Sequence, residues 1–121
     1  MKKLSSLLIL IVLCGSYLMA AKPQKPLVTF IELGSDTCIP CKMMKPVMAD
    51  VQKAYGNKIR VVFHNINKER DKASEYKIRV IPTQVFLDAG GKEFYRHEGF
   101  FPKAELMKIV DKQMGIRRNN K

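Results

Sequence analysis

The chain has 121 residues, room for one domain, and 46% of them are hydrophobic against 27% charged. This composition is that of an ordinary globular protein and excludes a disordered, collagen-like or coiled-coil chain. Three cysteines are too few for a small disulfide-stapled protein. The net charge of +11 is spread along the chain and is not gathered in a stripe with interleaved aromatic residues, so we predict a solvated surface and no nucleic-acid partner.

Residues 1–20 have the layout of a secretory signal. Two lysines after the first methionine precede an apolar run over residues 4–13, and small residues follow near Ala20. We predict cleavage after Ala20 and export to the periplasm or another extracytoplasmic space. The apolar run is short for a spanning helix, which needs about 20 residues, but a retained N-terminal membrane anchor stays open as the alternative. Lipid attachment at Cys14 is disfavoured because the residue before it is a bulky leucine.

Cleavage would simplify the cysteine count. Cys14 would leave with the signal, so that the mature chain keeps only Cys38 and Cys41. Export would also place this pair outside the reducing cytosol, where disulfides persist. Loss of the two N-terminal lysines would lower the net charge from +11 to +9.

The rest of the chain predicts an extended lead-in over residues 21–26, one α/β domain over 27–115 and a flexible basic tail over 116–121. The first predicted strand is almost wholly apolar, hence buried, and turn residues separate it from a helix with one apolar stripe. A strand, helix and strand in this order imply a parallel strand pair. We predict strands over 27–33, 59–66, 83–87 and 93–97, helices over 39–55 and 102–114, and at most a short exposed helix within 67–77.

The residues that carry chemistry are Cys38 and Cys41, three positions apart at the start of the first helix. At the helix N-terminus, free N–H groups and the helix dipole favour an anion, which lowers the pKa of the Cys38 thiol and makes it a nucleophile. One helical turn brings Cys41 back beside it, so the two can close into a disulfide. Pro40 fits the first turn, where its missing N–H costs nothing.

Two plainer interpretations of this pair stay open on spacing alone: a structural disulfide, or half of a zinc site. Zinc needs four ligands, and the chain has only two histidines, His64 and His97, which lie in predicted strands without paired spacing. We therefore predict no metal.

The order of elements and several motifs resemble thioredoxin over residues 28–114. The motifs are the Cys38-Ile39-Pro40-Cys41 sequence, a proline five residues after the second cysteine, an Ile-Pro-Thr sequence at 81–83, and Gly99. The resemblance implies a thioredoxin fold with a central mixed sheet of about four strands flanked by helices. We expect the fold to lack the family's extra N-terminal strand and helix, because the residues before Leu27 leave no room for them.

The resemblance also implies roles for individual residues. Cys38 would attack a client disulfide and Cys41 would resolve the mixed disulfide, so a Cys38–Cys41 disulfide is the redox group and no dissociable cofactor is needed. Pro82 would be cis and face the pair, and Ile81 would pair its backbone with the substrate. Gly99 would complete this substrate-binding surface.

Three departures from the family affect the site. Thr37 stands on the substrate-facing surface where thioredoxin has a tryptophan. Glu32 stands where thioredoxin has a buried aspartate, and Phe63 replaces the lysine near that acid. We predict that Glu32 lies beneath Cys41, has a raised pKa and accepts the Cys41 proton. The alternative is that Glu32 points outward, because strand neighbours alternate faces.

From these features we expect an exported thiol–disulfide oxidoreductase that reduces disulfides in client proteins. Relatives of this kind draw electrons from a thiol reductant in the membrane, and some serve cytochrome c maturation. We expect a monomer. The alternative is a non-catalytic thioredoxin-like binding module in which the Cys38–Cys41 disulfide is structural.

Overall fold

A computed structural model describes residues 22–118, and the predicted signal segment therefore lies outside the described residues. Residues 22–26 carry no helix or strand. The regular elements follow the predicted order closely. They are β1 (Val28–Gly34), α1 (Ile39–Tyr55), a 3-10 turn (Gly56–Lys58), β2 (Ile59–Asn65), α2 (Arg70–Glu75), β3 (Thr83–Asp88), β4 (Glu93–Glu98) and α3 (Lys103–Met114).

The four strands form one mixed sheet in the order β2-β1-β3-β4. The parallel pairing of β1 with β2 was predicted from the helix that connects them, and it places Glu32 opposite Phe63. β3 runs antiparallel to β1, and β4 antiparallel to β3. The apolar strand β1 thus lies at the centre of the sheet, with a neighbour on each side.

Each face of the sheet buries its own apolar cluster. On one face, Phe30 of β1 and Phe86 of β3 stack with ring centroids 4.9 Å apart beneath α1 and α3. On the other face, Ile31, Leu33 and Val85 are covered by partly buried residues around α2. Neighbouring residues of a strand point to opposite faces of the sheet, so β1 places apolar side chains on both faces.

The helices differ in how much they bury. α1 packs its predicted stripe into the core, through Met44, Val47, Val51 and Tyr55, and continues through Pro46. α2 is short and buries no residue, as the polar sequence predicts. Among residues 22–118, no helix is long and apolar enough to cross a membrane.

The first residues of the predicted tail make contacts with α3 and the core. Ile116 packs against the core cluster beneath α1 and α3. The guanidinium of Arg118 lies 2.8 Å from a carboxylate oxygen of Asp111 and over the ring of Tyr55. The end of the predicted tail, residues 119–121, lies outside the described part of the chain.

Candidate active site

Cys38 and Cys41 are joined in a disulfide at the N-terminus of α1, with their Cα atoms 5.2 Å apart. Cys38 is the N-cap residue, and its Sγ accepts a hydrogen bond of 3.3 Å from the backbone N–H of Cys41. After reduction this N–H would donate to a thiolate at Cys38, which favours the charged form. The side chains differ in exposure, because Cys38 is half-buried whereas Cys41 is only 2% exposed.

This difference predicts unequal reactivity of the two thiols. In the reduced protein we expect Cys38 to be alkylated by iodoacetamide at least about tenfold faster than Cys41, because it is accessible and a helix N-terminus lowers its pKa below about 8.5. Mass spectrometry of peptides after timed quenching would measure both rates. Equal rates would contradict the assigned roles of nucleophile and resolving thiol.

Polar contacts hold the loop that leads from β1 to Cys38. The buried side chain of Asn65, at the end of β2, donates a hydrogen bond of 2.7 Å to the carboxylate of Asp36. Lys45 and Lys68 lie 3.7 and 3.6 Å from the same carboxylate. Thr37 is exposed next to Cys38, as a residue of a substrate-facing surface must be.

The Ile81–Pro82 segment lies at the same end of the sheet as the cysteines. Its peptide bond is cis, and Thr83, which follows it, pairs with Leu33 near the end of β1. The N–H of Gly99 donates a hydrogen bond of 2.7 Å to the carbonyl of Pro82, so the end of β4 is tied to this segment. Gly99 has φ 90°, a conformation that side chains disfavour. The segments that carry the cysteine pair, Pro82 and Gly99 therefore lie at the same end of the sheet.

Exposed apolar side chains occur on the segments that lie at this end of the sheet. Two of them lie on the first turns of α1, where Ile39 is 72% exposed and Met43 is 50% exposed. Val80 precedes the cis peptide bond, and Phe100 follows Gly99. An exposed apolar set of this kind suits contact with another protein.

Glu32 is completely buried in the middle of β1, which excludes the outward orientation. Burial raises the pKa of its carboxyl from 4.5 to about 8, and a hydrogen bond from Gln84 opposes this increase. The cross-strand neighbour on β2 is Phe63, which offers no charge to stabilise a carboxylate. At neutral pH the carboxyl is therefore mostly protonated.

The geometry of β1 places Glu32 on the face that carries Cys41. Gly34 lies two residues after Glu32, on the same face of the strand. A Cβ atom at Gly34 would be 3.0 Å from the Sγ of Cys41. Cys41 therefore packs over the end of the strand from which Glu32 projects, on the same face as Glu32.

The close approach of Cys41 to Gly34 predicts the effect of a single methyl group. A Gly34→Ala side chain would also meet the Cβ of Cys41 at 3.1 Å and the ring of Phe63 at 3.4 Å, so Cys41 has to move by a few tenths of an ångström. We expect a loss of about 1–3 kcal/mol in the free energy of unfolding, measured by urea denaturation.

Gly90→Ala is the matched control for this prediction. There the new Cβ would meet only one side-chain oxygen, that of the Asp88 carboxylate at 3.2 Å, in an exposed turn. We expect its stability to stay within about 0.5 kcal/mol of that of the wild type. Equal effects of the two substitutions would show that Gly34 is not required for the packing of Cys41.

Two residues of the site were not predicted from the sequence. Gln84 is fully buried beside Glu32, and Asn65 anchors the loop before Cys38. The signal for Gln84 was present, since it is a polar residue directly before the apolar run Val85-Phe86-Leu87 of β3. Within residues 22–118, no three His, Cys, Asp or Glu side chains come together as metal ligands.

Comparisons with known proteins agree with this geometry. The family model described as a thioredoxin-like domain matches residues 16–114. Thioredoxin from Acidithiobacillus ferridurans is 31% identical over 93 residues, which cover 77% of this chain and 83% of that protein. A chloroplastic M-type thioredoxin from Zea mays is 35% identical over 85 residues, 70% of this chain, and the chain spans only half of its length.

Solved structures show the same fold. A mutant thioredoxin from Halobacterium salinarum superposes with a TM-score of 0.68 at 22% identity, covering 77% of this chain and 80% of that one. Thioredoxins, the relatives of this chain, carry out thiol–disulfide exchange through their cysteine pair and without an external cofactor. The family model and the bacterial relative each span most of the described domain. The chain, with its Cys38–Cys41 pair at the start of α1, therefore belongs to the thioredoxin family.

Proposed function

We propose that the protein is an exported reductase of disulfides in client proteins. The observation that carries this proposal is the unlike exposure of the two cysteines, with Cys38 reachable at the helix N-terminus and Cys41 only 2% exposed behind it. The Cys38 thiolate attacks one sulfur of the client disulfide, and the other client sulfur leaves as a thiolate. Cys41 then attacks the Sγ of Cys38, which forms the Cys38–Cys41 disulfide and releases the client as a dithiol.

Catalysed reduction of insulin is the direct test. The protein is charged with dithiothreitol, and precipitation of the freed insulin chains is followed at a fixed dithiothreitol concentration. We expect turnover well above that of dithiothreitol alone, because only a catalyst recycles between the two states. A rate equal to that of dithiothreitol alone would instead support a binding module with a structural disulfide.

The residues between the cysteines favour a reducing potential. Ile39 and Pro40 provide neither a charge nor a side-chain hydrogen-bond donor to the Cys38 thiolate, so the reduced form gains little extra stability. We expect a midpoint nearer about −270 mV than about −120 mV, the values typical of thioredoxin and of a strong oxidant. Equilibration with a series of glutathione buffers would measure it. A midpoint near the oxidising end would mean that the protein forms disulfides.

Export is proposed from the charged start, apolar run and small residues of the first 20 positions. We expect the mature protein to begin at Ala21, which the mass of the exported protein would establish; an intact N-terminus in the membrane fraction would indicate a retained anchor.

An exported reductase needs electrons from the cytoplasmic side, so we propose a membrane thiol reductant as its donor. Cytochrome c maturation is one pathway that such a monomeric reductase would serve.

A further inference from the structure

Within residues 22–118, the buried side chain of Glu32 has one hydrogen-bond partner, Gln84, which lies directly opposite it on β3. The side-chain N–H₂ group of Gln84 donates one hydrogen bond of 3.3 Å to Oε1 of Glu32 and one of 3.1 Å to the carbonyl oxygen of Gly99. A carbonyl oxygen only accepts, so Gly99 determines which end of the Gln84 amide is the N–H₂ group. The amide oxygen of Gln84 is thereby turned away from Gly99.

Two buried oxygen atoms in this pair have no hydrogen-bond partner within residues 22–118: Oε2 of Glu32 and Oε1 of Gln84. Leaving a buried acceptor without a donor costs about 1–3 kcal/mol. Both atoms are acceptors when Glu32 is ionised, so neither can satisfy the other. One proton on Oε2 of Glu32 would convert it into a donor and satisfy both atoms at once.

We propose that Gln84 is a positioning residue for the proton acceptor, forming a carboxylic acid–carboxamide pair in which the O–H of Glu32 donates to Oε1 of Gln84. Gln84 holds Oε1 of Glu32 through its N–H₂ group, and this leaves Oε2 as the oxygen that receives a proton. The hydrogen-bonded pair of Glu32 and Gln84 depends only on the fold. Its effect on the rate at which the mixed disulfide is resolved rests on the function proposed above.

The elements packed against the pair bring Phe63, Cys41 and the imidazole of His97 close to it. Glu32 faces Phe63 on β2, and Cys41 covers the same face from α1. His97 lies opposite Gln84 on β4, stacked on the Phe101 ring with its Nε2 at 3.2 Å from the carbonyl of Phe100. No ion pair within residues 22–118 includes Glu32.

The pair has a defined place in the resolving step. The S–H bond of Cys41 breaks as its proton moves to Oε2 of Glu32, directly or through a water, and a new O–H bond forms. The Cys41 sulfur attacks the Sγ of Cys38, the bond from Cys38 to the client breaks, and the client sulfur leaves with the electron pair and takes a proton from solvent. The new O–H of Glu32 then donates to Gln84. The disulfide-bonded protein, the state seen here, is thus the state in which Glu32 holds the proton.

Infrared spectroscopy of the carboxylic acid C=O band tests the pair independently of activity. The Glu32 band is assigned in the oxidised protein at pH 6 by its loss in Glu32→Gln. In Gln84→Met, which keeps the length and volume of the side chain, we expect the band to move to higher wavenumber, because the acid has lost both hydrogen bonds. An unchanged band would overturn the pairing.

A double variant guards against misfolding of Gln84→Met. Glu32→Gln with Gln84→Glu exchanges the acid and the amide and retains the same atoms in the core. We expect it to keep the hydrogen-bonded band position; a band at the free position would also overturn the pairing.

Kinetics test the positioning role. We expect Gln84→Met to slow resolution of the mixed disulfide about tenfold, part of the 10²–10⁴-fold typical of general acid–base catalysis, and to leave the first attack by Cys38 unchanged. The exchanged double variant should also resolve slowly, because its acid lies on β3 and not on the strand beneath Cys41. Resolution of Gln84→Met at the wild-type rate would overturn the positioning role. Failure of the proposed function would look different, with no insulin reduction in the wild type while the infrared results stand.

Discussion

A Cys41→Ser variant is expected to lose insulin-disulfide reduction completely and to accumulate client proteins as mixed disulfides on Cys38. The half-buried Cys38 still performs the first attack, since its position at the helix N-terminus is unchanged. Serine does not attack a disulfide, so the covalent intermediate has no internal route to resolution. Non-reducing gels would show the adducts, and mass spectrometry of the captured proteins would identify the clients.

Two variants control this experiment. Cys38→Ser should capture no client, because the remaining thiol of Cys41 is buried. Cys14→Ser should behave like the wild type and removes the third cysteine as a source of adducts in any chain that retains its N-terminal segment. Equal capture by the Cys38→Ser and Cys41→Ser variants would contradict the order of attack.

Glu32→Gln is expected to slow the resolving step about 100-fold and to leave the attack of Cys38 on the client nearly unchanged. The amide keeps the shape of the side chain but accepts no proton, so the Cys41 thiol has to lose its proton by a slower route. Rapid-quench kinetics separate the two steps, because the mixed disulfide accumulates only when resolution is slow. Unaltered rates of both steps would show that Glu32 is structural and that the proton goes to solvent.

The pH dependence follows from the raised pKa of Glu32. Only the ionised carboxylate accepts the proton of Cys41, so the rate of resolution in the wild type should rise as the pH approaches about 8, the pKa of the buried carboxyl. Glu32→Gln should lack this inflection. Resolution rates from pH 6 to 9 would test it, and identical profiles of the two proteins would rule out Glu32 as the base.

Stability should depend on pH in the opposite direction. The pKa of the Glu32 carboxyl is about 8 in the folded state and 4.5 in the unfolded chain, so between these values the folded state binds more protons. The free energy of unfolding therefore falls as the pH rises from about 4.5 to 8, by an amount of the order of 5 kcal/mol from this group alone. Urea denaturation should show Glu32→Gln gaining stability relative to the wild type over the same window.

The fold was largely predictable because its signals are local. The apolar stripe of α1 and the apolar runs of β1 and β3 appear directly in the residue order, and the helix between β1 and β2 is enough to predict that these strands are parallel. The spacing of Cys38 and Cys41 is equally local, since one helical turn decides that their sulfurs meet.

The orientation of Glu32 required the tertiary structure. Alternation along a strand leaves two choices of face, and a central strand with apolar residues on both faces gives no local signal for which one carries the acid. Packing decides it here, because Cys41 covers the face shared by Gly34 and Glu32.

The sequence by itself determined the order of elements, the cysteine pair at a helix start and the presence of an acid in the first strand. Only the tertiary structure decided that this acid is buried beneath Cys41 and that Gln84, 52 positions later, is its partner. The physical reason is that the antiparallel register of β1 with β3 aligns Glu32 and Gln84, and such a register depends on contacts distant in the chain. The raised pKa of Glu32 follows from that burial and cannot be read from its neighbours in sequence.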